Sequence, residues 1–197
     1  MSAKVTDQDT EKLIKETAMR IFFAEGRFNA TTQEIADTAG VNRTLINYYF
    51  RSRDKLFEQV FDEAHKQEHE LMEQIMFSDL PFRDKIARHL DTFFEQSQKY
   101  PYLEIYMVTQ VNQGCNFKDQ EHMQELLKKF HAEIEEEMEK GTIGKMRPEQ
   151  FTLNFVSLMS FPVSMRPLLE ESMGFSDEKF DQLLAERKEV IMKTLFK

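Results

Sequence analysis

The stretch that most constrains the fold runs from residue 30 to 56 and contains two short helical patterns joined by a glycine. Thr31 and Thr32 are suited to cap the first helix, because a hydroxyl can accept a hydrogen bond from an amide that has no partner in the first turn. Glu34 or Gln33 can reach back to the open amides. Gly40 supplies the backbone freedom that a helix end needs at a sharp reversal. Asn42 is suited to cap the second helix, whose apolar residues lie four positions apart. These signals predict a helix-turn-helix.

The outer face of the second helix is polar and aromatic, a composition that suits contact with DNA. Side chains with several donors match the edges of bases, whereas hydroxyl and cationic side chains match phosphates. The residues predicted to contact bases are Arg43, Thr44 and Asn47, and those predicted to contact phosphates are Thr32, Tyr48, Tyr49, Arg53 and Lys55. The alternative interpretation is the polar face of an ordinary helical hairpin, because motif matches carry false positives.

A first helix and six short motifs lie within this stretch or just before it. They are Ile14, Ala18 and Phe22 of the helix, then Glu25-Gly26, Thr31-Thr32, Glu34-Ile35-Ala36, Ala39-Gly40-Val41, Tyr48-Tyr49-Phe50 and Arg53-Asp54-Lys55-Leu56. In this order and spacing the first 60 residues resemble the TetR family of bacterial transcription regulators. The chain departs from the family at residues 42–47, which read Asn-Arg-Thr-Leu-Ile-Asn where many members read Ser-Lys-Gly-Thr-Leu-Tyr. The resemblance therefore implies the fold, and the departures leave the recognised bases open.

The composition excludes several other classes of protein. A chain of 197 residues can bury a substantial core. The N-terminal stretch lacks the apolar segment of a signal peptide, and no run approaches the roughly 20 apolar residues of a membrane helix. A single cysteine, Cys115, rules out an internal disulfide framework and fits a reducing compartment. The sequence predicts a cytoplasmic protein that has no membrane contact, metal or cofactor.

The charge of the chain is unevenly distributed. Residues 1–55 carry a net charge of about +1, whereas residues 56–197 carry about −10, within a total of −9. An acidic body repels DNA and so favours binding through the basic side of the N-terminal module. Because this module is only weakly basic, we expect modest non-specific affinity, with dimerisation and base contacts supplying the remainder.

Apolar residues at helical spacing predict an all-α fold of about nine helices, with a three-helix DNA-binding module at 1–55 and a larger body at 56–197. The fourth helix, roughly 53–77, is expected to bridge module and body. Pro162 and Pro167 should kink or interrupt the eighth helix. Outside the motif, the predicted helices are 9–25, 53–77, 82–99, 102–112, 119–140, 148–172 and 177–195.

The eighth helix is apolar on nearly all sides, so it is either buried in its own subunit or covered by another one. The family resemblance implies the second arrangement, because TetR-like proteins are homodimers joined by a four-helix bundle of their two C-terminal helices. We therefore expect a homodimer through residues 148–196, bound to a palindromic operator in double-stranded DNA.

The body is rich in phenylalanine and methionine, which suggests a cavity for a small apolar effector. Ordinary core packing is the alternative for each residue, and the cavity interpretation gains from the resemblance, since TetR-like bodies usually hold an effector. The candidate pocket residues are Phe93, Phe94, Tyr106, Met107, Phe130, Phe155, Met159 and Phe161.

Other chemistry is disfavoured. The five histidines and Cys115 show no spacing of a nucleophile and its base, and the His65/His69 pair favours a solvated helix face over a zinc site. The predicted function is a ligand-responsive regulator, a repressor in the family's common mode, which an effector releases from its operator, and not an enzyme. The alternative is a helix-turn-helix protein that binds other proteins and has little affinity for DNA.

Overall fold

The structure is a computed structural model that describes residues 7–112 and 120–197, so Cys115 lies outside the described residues. Over the described ranges it contains ten helices and no strand, which confirms the all-α prediction. The helices are α1 Asp7–Met19, which continues as a π-helical turn Arg20–Ala24, α2 Thr32–Ala39, α3 Arg43–Phe50, α4 Arg53–Met76, α5 Phe82–Lys99, α6 Leu103–Asn112, α7 Gln120–Lys140, α8 Pro148–Ser164, α9 Arg166–Met173 and α10 Asp177–Leu195.

The extra helix arises because the predicted eighth helix is divided in two at Met165. Pro167 lies in the first turn of α9, where its missing N–H has no intrahelical partner to lose. Pro162 instead lies inside α8, where it leaves the carbonyl of Leu158 without its backbone donor. The Arg187 Nε atom of α10 donates to that carbonyl at 3.1 Å. This bond explains how the helix passes through Pro162.

The chain forms two compact units, one made of Met1–Glu70 and Lys99–Leu103 and the other of Leu71–Gln98 and Glu104–Lys197. We call them the N-terminal unit and the body unit. The boundary lies inside α4, because the first turns of this helix contribute to the N-terminal core. The sequence-based division after residue 55 places it at the start of the same helix.

The core of the N-terminal unit is centred on aromatic rings. The ring of Phe57 lies 4.6 Å from that of Phe22, measured between centroids. Fully buried aliphatic side chains from α1, α2, α3 and α4 surround these rings, namely Ile14, Ile21, Ile35, Ile46 and Leu56. Burial of each such side chain contributes about 1.5–3 kcal/mol. The two helices that flank the turn are therefore stabilised by this packed core rather than by their intrinsic helix propensity.

The corner between α5 and α6 also belongs to the N-terminal unit. The Tyr102 amide donates to the carbonyl of Phe23 at 3.1 Å, beside the π-helical turn. Its ring packs so closely on Gly26 that a Cβ there would lie 2.9 Å from the ring. Gly26 also has a φ of +67°, which favours glycine. Both its conformation and this contact therefore require a residue without a side chain.

The body unit is built around one apolar cluster to which α4, α5, α7, α8 and α10 contribute. Within it the rings of Phe82 and Phe130 lie 5.6 Å apart, and Phe151 and Ile134 are fully buried. A buried ion pair accompanies this cluster, because Lys85 Nζ donates to Glu133 Oε1 at 2.8 Å. The described part of the body thus combines an apolar interior with a largely buried charge pair.

The imidazole of His89 is a second ionisable group of the body, half-buried against the apolar cluster. Its ring lies 5.4 Å from that of Phe155, and burial lowers the pKa of His89 from 6.5 to about 4. Between those pH values the unfolded chain binds more protons than the folded chain, so stability decreases as the pH decreases through this window. Below pH 4 the imidazole is protonated in both the folded and the unfolded chain, and the loss of stability is complete.

We expect His89→Phe to lower the difference in unfolding free energy between pH 7 and pH 5 by about 2 kcal/mol. The substitution keeps a ring in the same place and removes the group that titrates. Urea unfolding of both proteins at both pH values measures this difference. An equal pH dependence in the wild type and the variant would contradict the assignment.

Candidate DNA-binding site

The first helix of the motif, α2, begins with a reciprocal cap. The Thr31 hydroxyl accepts from the Glu34 amide at 3.2 Å, and the Glu34 carboxylate accepts from the Thr31 amide at 2.8 Å. Hydrogen bonds from Thr31 hold the pKa of Glu34 below its usual value. This pair forms the predicted cap, and Thr32 lies half-buried in the first turn behind it.

The turn between the two helices follows from two residues. Gly40 has a φ of +66° and ends α2 in the left-handed conformation. Asn42 Oδ1 then accepts from the Thr44 amide at 2.9 Å and from the Thr44 hydroxyl at 2.7 Å. Both predictions are confirmed here. The Thr44 hydroxyl, predicted to contact a base, donates its proton to this cap.

The second helix of the motif, α3, presents a polar face. Its apolar residues Ile46 and Phe50 are buried, while Arg43 and Asn47 are exposed and Tyr48 is 70% exposed. Within the described part of the chain, the side chains of Arg43 and Asn47 form no hydrogen bond or ion pair. Their donors and acceptors are therefore available for a partner, as recognition of base edges requires.

The remaining phosphate candidates differ in exposure. Lys55 is exposed and pairs with Glu58 at 2.5 Å, whereas Arg53 is half-buried. The guanidinium of Arg53 lies 5.2 Å from the centroid of the Phe22 ring, and its Nε atom donates to the Ala30 carbonyl at 3.2 Å. Arg53 is thus engaged in the core of the unit, and its contact with a phosphate stays a prediction.

Tyr49 lies at the edge of the exposed face, next to the beginning of α1. Its hydroxyl donates a hydrogen bond to the carboxylate of Asp7. This bond, followed by burial, raises the pKa of Tyr49 to about 12. Sequence analysis did not identify Asp7, because no local pattern connects residues that lie 42 positions apart.

A strained turn joins α3 to α4. Arg51 has a φ of 67°, which is rare for a residue with a side chain, and the Ser52 amide donates to the Phe50 carbonyl at 2.8 Å. This three-residue turn lets α4 start at once, with the Ser52 hydroxyl accepting from the Lys55 amide at 3.2 Å. The helix α3, which we call the recognition helix, is therefore joined to α4 with no intervening loop.

The predicted effector-pocket residues lie in several places. Tyr106 and Met107 are half-buried on α6, and Phe161 is 52% exposed on α8 rather than turned inward. The others belong to the apolar cluster of the body or pack against it: Phe93, Phe94, Phe130, Phe155 and Met159. The structure thus brings five of the eight together.

A shallow, open groove of about 430 Å³ lies on α7. Its lining is Gln124, Leu127, Lys128, His131, Ala132 and Glu135. None of the predicted pocket residues lines this groove, so it is distinct from the apolar cluster.

Comparison with known proteins identifies the N-terminal unit. Residues 14–60 match the family described as bacterial regulatory proteins, tetR family. The chain therefore carries a TetR-family DNA-binding domain at residues 14–60. It is therefore a transcription regulator with a DNA-binding helix-turn-helix, and not an enzyme. None of the described helices is long and apolar enough to cross a membrane.

Relatives extend the likeness to the rest of the chain. An uncharacterised HTH-type transcriptional regulator of Bacillus subtilis, YhgD, is 27% identical over 146 residues, which cover 72% of this chain and 75% of the relative. A TetR-family regulator from Haemophilus influenzae is 17% identical, with a TM-score of 0.56 over 96% of this chain and 98% of its own. A TetR/AcrR-family regulator from Thermobifida fusca is 14% identical, with a TM-score of 0.62 over 93% and 97%. The body therefore shares the TetR-family fold.

Proposed function

We propose that this TetR-family chain is a homodimeric repressor that binds a palindromic operator and is released by a small apolar effector. The observation that carries the DNA-binding part is the exposed face of α3. Arg43 and Asn47 lie there without internal partners, above the buried residues Ile46 and Phe50. A twofold dimer would place two such helices in successive major grooves, about 34–36 Å apart.

Exposed apolar side chains on the last helices support the dimer. On α8, Leu153 is 61% exposed, Val156 44% and Phe161 52%. On α10, Leu183 and Val190 are exposed and lie seven residues apart, which is two helical turns. Monomeric proteins rarely expose so many large apolar side chains on two helices, and a second copy of the chain would bury them.

We expect Phe161→Glu to convert the dimer to a monomer, because two buried carboxylates would face the twofold partner without a counter-charge. Val108→Glu is the matched control, since Val108 is 52% exposed on α6, outside the proposed interface. Sedimentation velocity at micromolar concentration measures the state of each variant. A dimeric F161E protein, or a monomeric wild type, would contradict this interface.

The proposed response to an effector uses the apolar cluster of the body. An effector that enters between Phe93, Phe130 and Phe155 would favour a minor conformation in which these side chains move apart. The helix α4 contributes to both units, so its tilt could carry this change to the recognition helices. Reciprocity requires operator DNA to weaken effector binding by the same factor.

The first experiment is an electrophoretic mobility shift with DNA fragments that flank the chain's own gene. A discrete shift that resists competitor DNA and weakens steeply with salt would support the proposal, since neutralised phosphates make binding salt-dependent. Small apolar compounds that abolish the shift would then identify effectors. A folded dimer that shifts no fragment at low salt would favour the alternative, a helix-turn-helix protein that binds another protein.

A further inference from the structure

We infer that Asp7 competes with DNA phosphate for the hydroxyl of Tyr49 and thereby lowers the affinity of the protein for all DNA sequences. The inference rests on the proposed function, because it requires the Tyr49 side of the recognition helix to approach the DNA backbone. It adds a residue of α1, outside the helix-turn-helix, to the determinants of DNA affinity.

The position of the Tyr49 ring is fixed by its neighbours. Its centroid lies 5.0 Å from that of Tyr48 in an edge-on arrangement and 6.1 Å from that of Phe50, which is 1% exposed. The ring is half-buried, so the hydroxyl is presented at a defined point beside the exposed face of α3. Asp7 meets it there as the first residue of α1.

The competition follows from the chemistry of the two acceptors. A phenol has one proton to donate, and both a carboxylate and a phosphate offer anionic oxygens that form charge-assisted hydrogen bonds. The Tyr49 proton is committed to the Asp7 carboxylate in the free protein. A backbone phosphate must therefore displace an anion that already occupies its place, and it must approach the charge of that anion.

The electrostatics of the region increase this cost. Glu11 lies one turn after Asp7 on α1 and adds to the negative potential at the Tyr49 hydroxyl. The N-terminal module, residues 1–55, carries a net charge of only about +1. The charge of one carboxylate at the DNA-facing edge is therefore as large as the net charge of the module. Counterion release makes such a charge count in the salt dependence of binding.

The consequence concerns affinity rather than base recognition. Phosphate contacts position a protein on the duplex but carry no sequence information. Loss of the Asp7 carboxylate should therefore strengthen binding to operator and to random DNA by the same factor. Asp7 then weakens binding to every DNA sequence. The ratio between the affinity for operator and the affinity for random DNA depends on Arg43 and Asn47.

The test compares four proteins: the wild type, Asp7→Ala, Tyr49→Phe and the double variant. Fluorescence anisotropy measures their affinity for a random-sequence duplex and for the operator fragment that the mobility-shift experiment identifies. We expect D7A to bind both duplexes about tenfold more tightly at low salt. In the Tyr49→Phe background, D7A should raise the affinity for both duplexes by no more than Asp9→Ala does. Asp9→Ala removes one charge from the same end of α1. Thermal melts confirm that each variant is folded.

The outcomes separate the inference from the proposed function. A D7A protein that binds no more tightly than D9A, or whose gain persists in the Tyr49→Phe background, would overturn the competition. A D7A protein that binds more weakly would show instead that Asp7 positions Tyr49 for its contact, which also overturns it. A wild type that binds neither duplex would contradict the proposed function and, with it, this inference.

Discussion

Replacing Asn47 by alanine should weaken operator binding by a factor between about 30 and 20,000. Asparagine can bond an adenine edge with both its donor and its acceptor, and one such pair contributes about 1–3 kcal/mol of discrimination. The proposed dimer carries two copies of the helix, so the loss doubles to about 2–6 kcal/mol per complex. Asn47 is exposed on α3 and is expected to reach the base without rearrangement.

This prediction is measured by titration of a fixed duplex at one salt concentration, because affinities at different salt concentrations cannot be compared. Arg43→Ala should show a similar loss, since arginine bonds guanine in the same paired manner. Gln59→Ala is the control, as Gln59 is exposed on α4, outside the motif. Operator binding that is unchanged in both N47A and R43A would show that neither side chain contacts a base.

The helix-turn-helix could be predicted because its signals are local. Thr31 is satisfied by Glu34 three residues on, and Asn42 by Thr44 two residues on. A reversal that needs positive φ selects glycine at residue 40. Each of these bonds closes within one turn of helix, so sequence order alone determines which groups can meet.

Contacts between distant segments could not be predicted in this way. Helical periodicity shows which face of a helix is apolar, but it does not show which other helix covers that face. The pairs Tyr49 with Asp7 and Lys85 with Glu133 are 42 and 48 residues apart. Their formation depends on the packing of whole helices, and for that reason Asp7 did not enter the predicted site.

Residue type alone does not determine the environment of a side chain. Arg53 has the charge of a phosphate ligand, yet its guanidinium packs on Phe22 and Phe57. Phe161 has the character of a pocket residue, yet it is more than half exposed. Charge and apolarity restrict what a side chain can contact, whereas the choice among those contacts depends on tertiary structure.

The second large effect is expected from Lys85→Met, which should lower the free energy of unfolding by about 3 kcal/mol. Lys85 is 5% exposed, and its Nζ atom donates to both oxygens of Glu133 and to the carbonyl of Met76 at 3.0 Å. The substitution leaves a carboxylate on α7 and the last carbonyl of α4 without this donor. Such a loss is a large fraction of the roughly 5–15 kcal/mol that stabilises a typical domain.

A double variant shows whether this cost comes from the unpaired charge. Replacing both partners, as in Lys85→Met with Glu133→Leu, removes the stranded carboxylate and should recover part of the stability. Lys188→Met is the control, because its pair with Asp91 is exposed and should contribute no more than about 1 kcal/mol. Urea unfolding at one protein concentration measures all three, since a dimer's stability depends on concentration. A double variant as unstable as K85M would mean that Lys85 acts mainly through the Met76 carbonyl at the end of α4.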